Sequence, residues 1–140
     1  MNVKTSFLKN KINEDSPNKN IVPVTTTINS EHKLFIGECS LEDLVRKYDS
    51  PLYVLDEITL RNSCRAYKKA LEKYYPGPSL PIYASKANSS IFMSNLIASE
   101  GFGLDAVSEG ELLTAQKVEF LMKKLFFMEI INLIRKLNLR

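Results

Sequence analysis

The chain has 140 residues, of which 44% are hydrophobic and 25% charged, values typical of one soluble globular domain. This composition excludes wholesale disorder, a collagen-like repeat and a disulfide scaffold. The net charge of +3 arises in the last twenty residues, which carry +4 and leave −1 for the other 120. We therefore expect no nucleic-acid surface on the main part of the chain.

The first 48 residues are predicted to hold few regular elements. Residues 1–30 are rich in Asn, Lys, Ser, Thr and Pro and are predicted to form a mostly disordered leader. Residues 31–48 are predicted to hold a strand over 34–36, ended by Gly37, and then a helix. The helix begins at Ser40 with the sequence Ser-Leu-Glu-Asp, which resembles a capping box.

Residues 49–120 alternate between strand and helix patterns. Strands are predicted over 52–55, 80–84 and 102–107, and helices over 57–74, 91–99 and 109–117, with Gly101 as a C-cap. The first helix is expected to turn five residues toward a core: Ile58, Leu60, Ala66, Ala70 and Leu71. Repeated βα units imply an α/β fold with a parallel sheet. Three units are too few for a closed (β/α)8 barrel of about 250 residues, so the chain is either a small open sheet or the front of a larger fold.

The segment 83–88 reads Tyr-Ala-Ser-Lys-Ala-Asn and places Lys86 between a predicted strand and a helix. Active sites of barrels collect at this end of the strands. Burial against apolar walls favours a neutral lysine amine, and a neutral amine can form a Schiff base with an aldehyde. The alternative is a surface lysine in a loop, where most lysines lie.

The segment 103–112 carries acidic residues at the next strand end. Asp105 lies on the predicted strand and Glu111 in the first turns of the following helix. On neighbouring parallel strands, Asp105 and Lys86 are expected to face the same cleft. The structural alternative is that Ser108 caps the helix while Glu109 and Glu111 favour its N-terminus. The two interpretations are compatible.

These segments together resemble the fold-type III, pyridoxal-phosphate-dependent amino-acid decarboxylases. Residues 50–56, Ser-Pro-Leu-Tyr-Val-Leu-Asp, resemble the opening barrel strand of that family. Residues 83–88 are similar to its Tyr-Ala-x-Lys-Ala-Asn motif, and 105–112 to its Asp-x-Val-Ser-x-Gly-Glu-Leu motif. Residues 35–44 are most similar to members that convert meso-diaminopimelate to L-lysine. The resemblance covers about residues 33–120.

The resemblance implies a fold, a cofactor and site residues. The fold would be the first three βα units of an incomplete, alanine-racemase-like (β/α)8 barrel, occupying residues 49–120. Lys86 would be the catalytic lysine that holds pyridoxal 5′-phosphate as a Schiff base, and Asp105 and Glu111 would line the cofactor site. The substrate would be a small amino acid, and the full-length family is expected to be a cytoplasmic homodimer. The leader would join a C-terminal β domain.

Other functions stay open from the sequence alone. A sibling decarboxylase would act on ornithine, arginine or carboxynorspermidine, because the residues that select the substrate lie outside the resemblance. A non-enzymatic module would use its basic tail to bind a partner or a membrane surface. However, no apolar run reaches the length of a membrane span, and the N-terminus lacks a signal-peptide stretch. Cys39 and Cys64 lack metal-ligand spacing and suit a reducing cytoplasm, so no metal is predicted.

Residues 121–140 depart from the family pattern. The family continues with a strand that ends in a His-Gly-Asn-x-Lys-Ser-like segment, and this chain has Phe-Phe-Met-Glu-Ile-Ile-Asn-Leu over 126–133. A reading frame shifted by two bases from Met122 can encode such a segment with AT-rich codons. We interpret 121–140 as a frameshifted tail, and we expect the 140-residue chain alone to lack decarboxylase activity.

Overall fold

The computed structural model describes residues 10–11 and 21–127, which fall into two compact units divided between Asn62 and Ser63. The first unit contains a small antiparallel sheet of four strands in sequence order. The strands are β1 (Asn10–Lys11), β2 (Thr27–Ile28), β3 (Leu34–Ile36) and β4 (Cys39–Ser40). Within the predicted leader, the described residues thus include two strands, and β-branched Thr27 and Ile28 suit the central one. Residues 1–9 and 12–20 of the predicted leader lie outside the described residues.

Helix α1 (Leu41–Tyr48) follows β4 directly. The predicted cap is confirmed, because the Ser40 side chain accepts a hydrogen bond from the Asp43 N–H at 3.4 Å. The strand 34–36 is also confirmed, and Gly37, with φ of +61°, begins the turn that leads to β4. A glycine suits this left-handed position because it has no Cβ to clash.

The predicted strand at 52–55 is wrong. Residues 51–56 contain no strand, and Leu52, Tyr53 and Leu55 are all exposed. A strand requires a hydrogen-bonded neighbour, and an apolar run alone does not supply one. Asp56 instead caps the next helix, α2 (Glu57–Tyr74), by accepting the Thr59 N–H at 3.0 Å.

Helix α2 has the predicted bounds, but its predicted core face is only partly buried, with Leu60 and Leu71 half-buried. Cys64 is its only buried residue among those described. Ile58 is 54% exposed, and Ala66 and Ala70 are exposed as well. In the second unit, the two helices that follow α2 pack on the sheet. Most of the buried side chains therefore lie outside α2.

The second unit contains a parallel three-stranded sheet in the order β5-β6-β7. Its elements after α2 are β5 (Ile82–Ala84), α3 (Ile91–Ser99), β6 (Gly103–Ala106), α4 (Glu109–Lys117) and β7 (Leu125–Phe127). The predicted parallel sheet and both helices are confirmed, with the helix bounds as predicted and the strands shorter by a few residues. The third parallel strand comes from the start of the tail, where Leu104 pairs with Leu125. Residues 128–140 of the tail lie outside the described part of the chain.

The core of this unit lies where α3 and α4 pack on β6. Five apolar residues there are at most 2% exposed: Leu96, Ile97, Leu104, Ala106 and Ala115. Because β6 is the central strand, it is buried along nearly its whole length, as expected of a parallel sheet.

The two helices that cover β6 end in the same motif. After α3, Gly101 adopts φ of +81°, its N–H bonds to Ala98 O, and the Phe102 N–H bonds to Ile97 O. This pattern is a Schellman motif and confirms the predicted role of Gly101. After α4, the same position is held by Glu119, with φ of +53°.

Three cations converge on the corner that follows α3, a group formed by Arg65, Lys68 and Lys124 around Glu100 and Gly101. Arg65 binds the Glu100 carboxylate through two nitrogens, at 3.2 and 3.0 Å. Lys68 Nζ donates to the Glu100 carbonyl at 3.1 Å, and Lys124 Nζ donates to the Gly101 carbonyl at 3.0 Å. The two lysine contacts provide partners for backbone carbonyl groups at the end of α3.

Candidate active site

Lys86 lies just beyond the carboxyl end of β5. The strand ends at Ala84, and a short 3-10 turn over Ser85–Ala87 carries the lysine. The side chain of Lys86 is exposed, so the described residues do not enclose it in apolar walls. The strand end turns the lysine outward, because the 3-10 turn buries Ser85 and exposes the next residue.

The segment that carries the lysine is tied together at its ends. Tyr83 Oη donates to the Asn88 carbonyl at 3.3 Å, so the turn is closed by its own flanking residues. Burial raises the pKa of the Tyr83 phenol, which keeps it a hydrogen-bond donor at neutral pH. Asn88 Oδ1 in turn accepts the Ser90 N–H at 3.0 Å, where α3 begins.

Asp105 stands on the strand beside β5. Strands β5 and β6 are parallel neighbours, and their register pairs Ala84 with Asp105. Lys86 lies two residues after Ala84, so Lys86 and Asp105 lie at the same carboxyl edge of the sheet. Asp105 Oδ1 is buried and has no hydrogen-bond partner among the residues that the structure describes. A buried acceptor without a donor is costly, so this oxygen is available to accept a hydrogen bond from a water or a bound group.

The side chain of Glu111, in the first turn of α4, extends to the same carboxyl edge of the sheet. Its Oε2 accepts the Val107 N–H at 2.7 Å and a short hydrogen bond from the Ser85 hydroxyl. The Ser85 bond first, and then the Val107 bond, hold the pKa of Glu111 below its usual value, with the charge of Lys86 the smallest of the causes. The ionised carboxylate thus links the β6 end to the turn that carries Lys86.

The structural alternative for this segment also holds. Ser108 caps α4 and accepts the Glu111 N–H at 3.3 Å, as predicted. Glu109 and Glu111 lie in the first helical turn, where a negative charge is favourable. The cap and the carboxylate bridge coexist because they use different atoms of Glu111.

Sequence reasoning missed Ser85. It is 1% exposed, and its hydroxyl also lies 2.8 Å from the Asp105 carbonyl. A small polar residue between an apolar strand and Lys86 was the available signal, but its partner Glu111 lies 26 residues away.

Other kinds of site find no support in the described ranges 10–11 and 21–127. No group of three or more metal-ligating side chains occurs there. No helix in that part of the chain combines the length and apolarity needed to cross a bilayer. Cys39 is an exposed free cysteine, and Cys64 is buried.

Comparison with known proteins assigns the family. Residues 57–137 match the family described as "Pyridoxal-dependent decarboxylase, pyridoxal binding domain". The chain belongs to this family. The resemblance seen in the motifs is thereby confirmed, and the α/β fold is that of the first units of the pyridoxal-binding (β/α)8 barrel.

Several relatives of this pyridoxal-dependent decarboxylase domain carry one name. A diaminopimelate decarboxylase from Synechocystis sp. is 48% identical over 99 residues, which are 71% of this chain and 21% of the relative. One from Bacillus methanolicus is 38% identical over 103 residues, 74% of this chain and 24% of the relative. The crystal structure of diaminopimelate decarboxylase from M. jannaschii superposes with a TM-score of 0.66 at 31% identity, covering 74% of this chain and 24% of that one. The chain thus spans less than a quarter of the length of these relatives.

Proposed function

We propose that this chain is the lysine-bearing part of a decarboxylase that uses pyridoxal 5′-phosphate to convert meso-diaminopimelate to L-lysine. The observation that carries the proposal is the placement of Lys86 at the strand edge that also holds the buried, unpaired Asp105 Oδ1. The names of the relatives support the substrate, and one solved relative is a complex with L-lysine.

The residues present fit this cofactor. Lys86 offers an accessible amine for the aldehyde of pyridoxal phosphate. Asp105 Oδ1 lacks a donor, and a bound group that carries an N–H or O–H would supply one. We propose Lys86, Asp105 and Glu111 as the cofactor-binding residues, with Lys86 as the catalytic residue.

The chain's own residues have separate tasks in this proposal. When bound, pyridoxal phosphate supplies an electron sink for the loss of carbon dioxide. Lys86 would hold the cofactor through its side-chain amine. Asp105 orients a polar group at the strand edge, and Glu111 keeps the end of β6 joined to the turn that carries Lys86.

Two further features follow from the same resemblance and stay predictions. We expect the full-length protein to be a homodimer that works in the cytoplasm. Ornithine, arginine or carboxynorspermidine stays an alternative substrate, because less than a quarter of the relatives' length is represented here.

Reduction with borohydride tests the lysine assignment. The chain is incubated with pyridoxal phosphate, reduced and digested, and the labelled peptides are quantified by mass spectrometry. We expect Lys86 to be labelled well above Lys117, an exposed lysine in α4 that serves as the internal control. The Lys86→Arg variant should lose that label, and Lys117→Arg should keep it. Labelling spread evenly over the lysines would show that Lys86 has no special affinity for the cofactor.

A chimera tests the reaction. Residues 33–120 replace the matching segment of the Synechocystis diaminopimelate decarboxylase, and release of carbon dioxide from meso-diaminopimelate is measured. We expect the chimera to release carbon dioxide, and we expect the same chimera with Lys86→Arg to be inactive. A well-folded chimera that binds pyridoxal phosphate without turnover would count against this segment as a functional part of that enzyme.

A further inference from the structure

Ser85 occupies the position that the motif Tyr-Ala-x-Lys-Ala-Asn leaves open. It is 1% exposed, although it directly precedes the exposed Lys86. A buried hydroxyl is costly unless it is hydrogen-bonded. The partners of this hydroxyl therefore reveal what holds the turn in place.

The Ser85 hydroxyl has two acceptors within reach, the Glu111 carboxylate and the Asp105 carbonyl, the latter at 2.8 Å. A hydroxyl carries one hydrogen, so it donates to one acceptor at a time. Glu111 Oε2 is the stronger acceptor because it is charged, and bonds to charged groups are the stronger ones. The same oxygen also accepts the Val107 N–H at 2.7 Å.

The result is a bridge between two strand ends, which we name the serine–carboxylate bridge: Ser85, Glu111 and the Val107 N–H. It joins the turn after β5 to the segment between β6 and α4. The Ser85 bond is the largest cause of the lowered pKa of Glu111, so the carboxylate is ionised at neutral pH. The bridge fixes the residue before Lys86 while leaving the lysine itself free to react.

We propose that Ser85 is a positioning residue for Lys86, acting through its hydrogen bond to Glu111 to hold the lysine at the strand edge beside Asp105. This inference rests on the proposed role of Lys86 in holding pyridoxal phosphate. Ser85 itself contacts no reacting atom and acts only on the position of the Lys86 amine.

The test measures the labelling of Lys86 by pyridoxal phosphate and borohydride relative to Lys117 in the same sample. With Ser85→Ala we expect the Lys86 to Lys117 ratio to fall by about tenfold, the effect of one hydrogen bond to a charged group. Ser85→Thr, which keeps the hydroxyl, should restore most of the ratio. Ser89→Ala removes an exposed serine from the same loop and should leave the ratio unchanged. Glu111→Gln removes the charged acceptor of the bridge and should lower the Lys86 to Lys117 ratio as well.

A second readout needs no cofactor. Titration of Glu111 followed by NMR should show its pKa rising toward the ordinary value in Ser85→Ala and staying low in Ser89→Ala. If that pKa does not move, the bridge is absent. If the pKa moves and the Lys86 to Lys117 ratio does not, the bridge exists but does not position the lysine. If wild-type Lys86 is not labelled above Lys117, the proposed function fails, and the positioning role fails with it.

Discussion

Two glycine-to-alanine substitutions in this chain should change stability in opposite directions. Gly101 has φ of +81°, a conformation that costs an L-residue roughly 1–2 kcal/mol. Alanine also reduces the freedom of the unfolded chain, which recovers about 0.4–1 kcal/mol. A Cβ at Gly101 would lie 3.7 Å from Lys68 Nζ and 3.9 Å from Lys124 Nζ, which are ordinary contacts. The backbone therefore decides the outcome, and we expect Gly101→Ala to lower the free energy of unfolding by about 1 kcal/mol.

Gly110 provides the matched control. It lies in the first turn of α4, where a Cβ would meet no heavy atom within 4 Å. Alanine is the better helix former, so Gly110→Ala should raise the free energy of unfolding by about 0.5–1 kcal/mol. The same chemical change thus separates the two variants by nearly 2 kcal/mol.

Urea unfolding followed by far-UV circular dichroism measures both variants. The midpoints should move in opposite directions from wild type with the slope unchanged, because neither substitution alters the surface exposed on unfolding. Equal shifts of the same sign would show that the left-handed backbone at Gly101 is not what makes this position require glycine.

Further predictions concern the second Schellman motif, pH, activity and the gene. Glu119→Gly should raise the free energy of unfolding by about 0.5–1 kcal/mol, because Glu119 has φ of +53°. Glu119→Ala is the control, since it keeps a Cβ. Equal thermal unfolding midpoints for the two variants would refute this prediction. The pKa of Glu111 is lowered from 4.5, so its ionised form stabilises the fold above pH 4.5, and this contribution is lost as the pH falls through the lowered pKa. The free energies of unfolding of wild type and Ser85→Ala should therefore converge in acid. A difference in unfolding free energy that stays constant with pH would contradict this. The purified 140-residue chain should release no carbon dioxide from meso-diaminopimelate, and measurable turnover would overturn that expectation. Nucleotide sequencing across the codons of 121–140 and beyond should show that one restored base opens a frame encoding the family's next segment; a frame without it would refute the frameshift interpretation.

The helices were predictable because their signals are local. The bounds of α2, α3 and α4 agree with the pattern of caps, apolar spacing and breakers, and Ser40 and Ser108 cap their helices as predicted. Helix starts and ends depend on groups within a few residues, so one sequence contains the information.

Strand pairing was less predictable because it depends on distant neighbours. The apolar run at 52–55 has the composition of a strand and forms none, whereas Leu125–Phe127, in the segment predicted to be a frameshifted tail, pairs with β6. The placement of Lys86 just after one strand and of Asp105 on the neighbouring strand followed from the order of βα units. The bond between Ser85 and Glu111 depends on register and on the start of α4, which no local pattern specifies.

The cation-bound corner after α3 also bears on the order of folding events. Its contacts join residues that are 23, 32 and 35 positions apart in sequence, through Lys124, Lys68 and Arg65 respectively. Contacts across such separations require loop closure and are expected to form after the local helices. Interactions absent from the transition state slow unfolding and leave the folding rate nearly unchanged. We therefore expect the corner to govern how long the folded state persists more than how quickly it is reached.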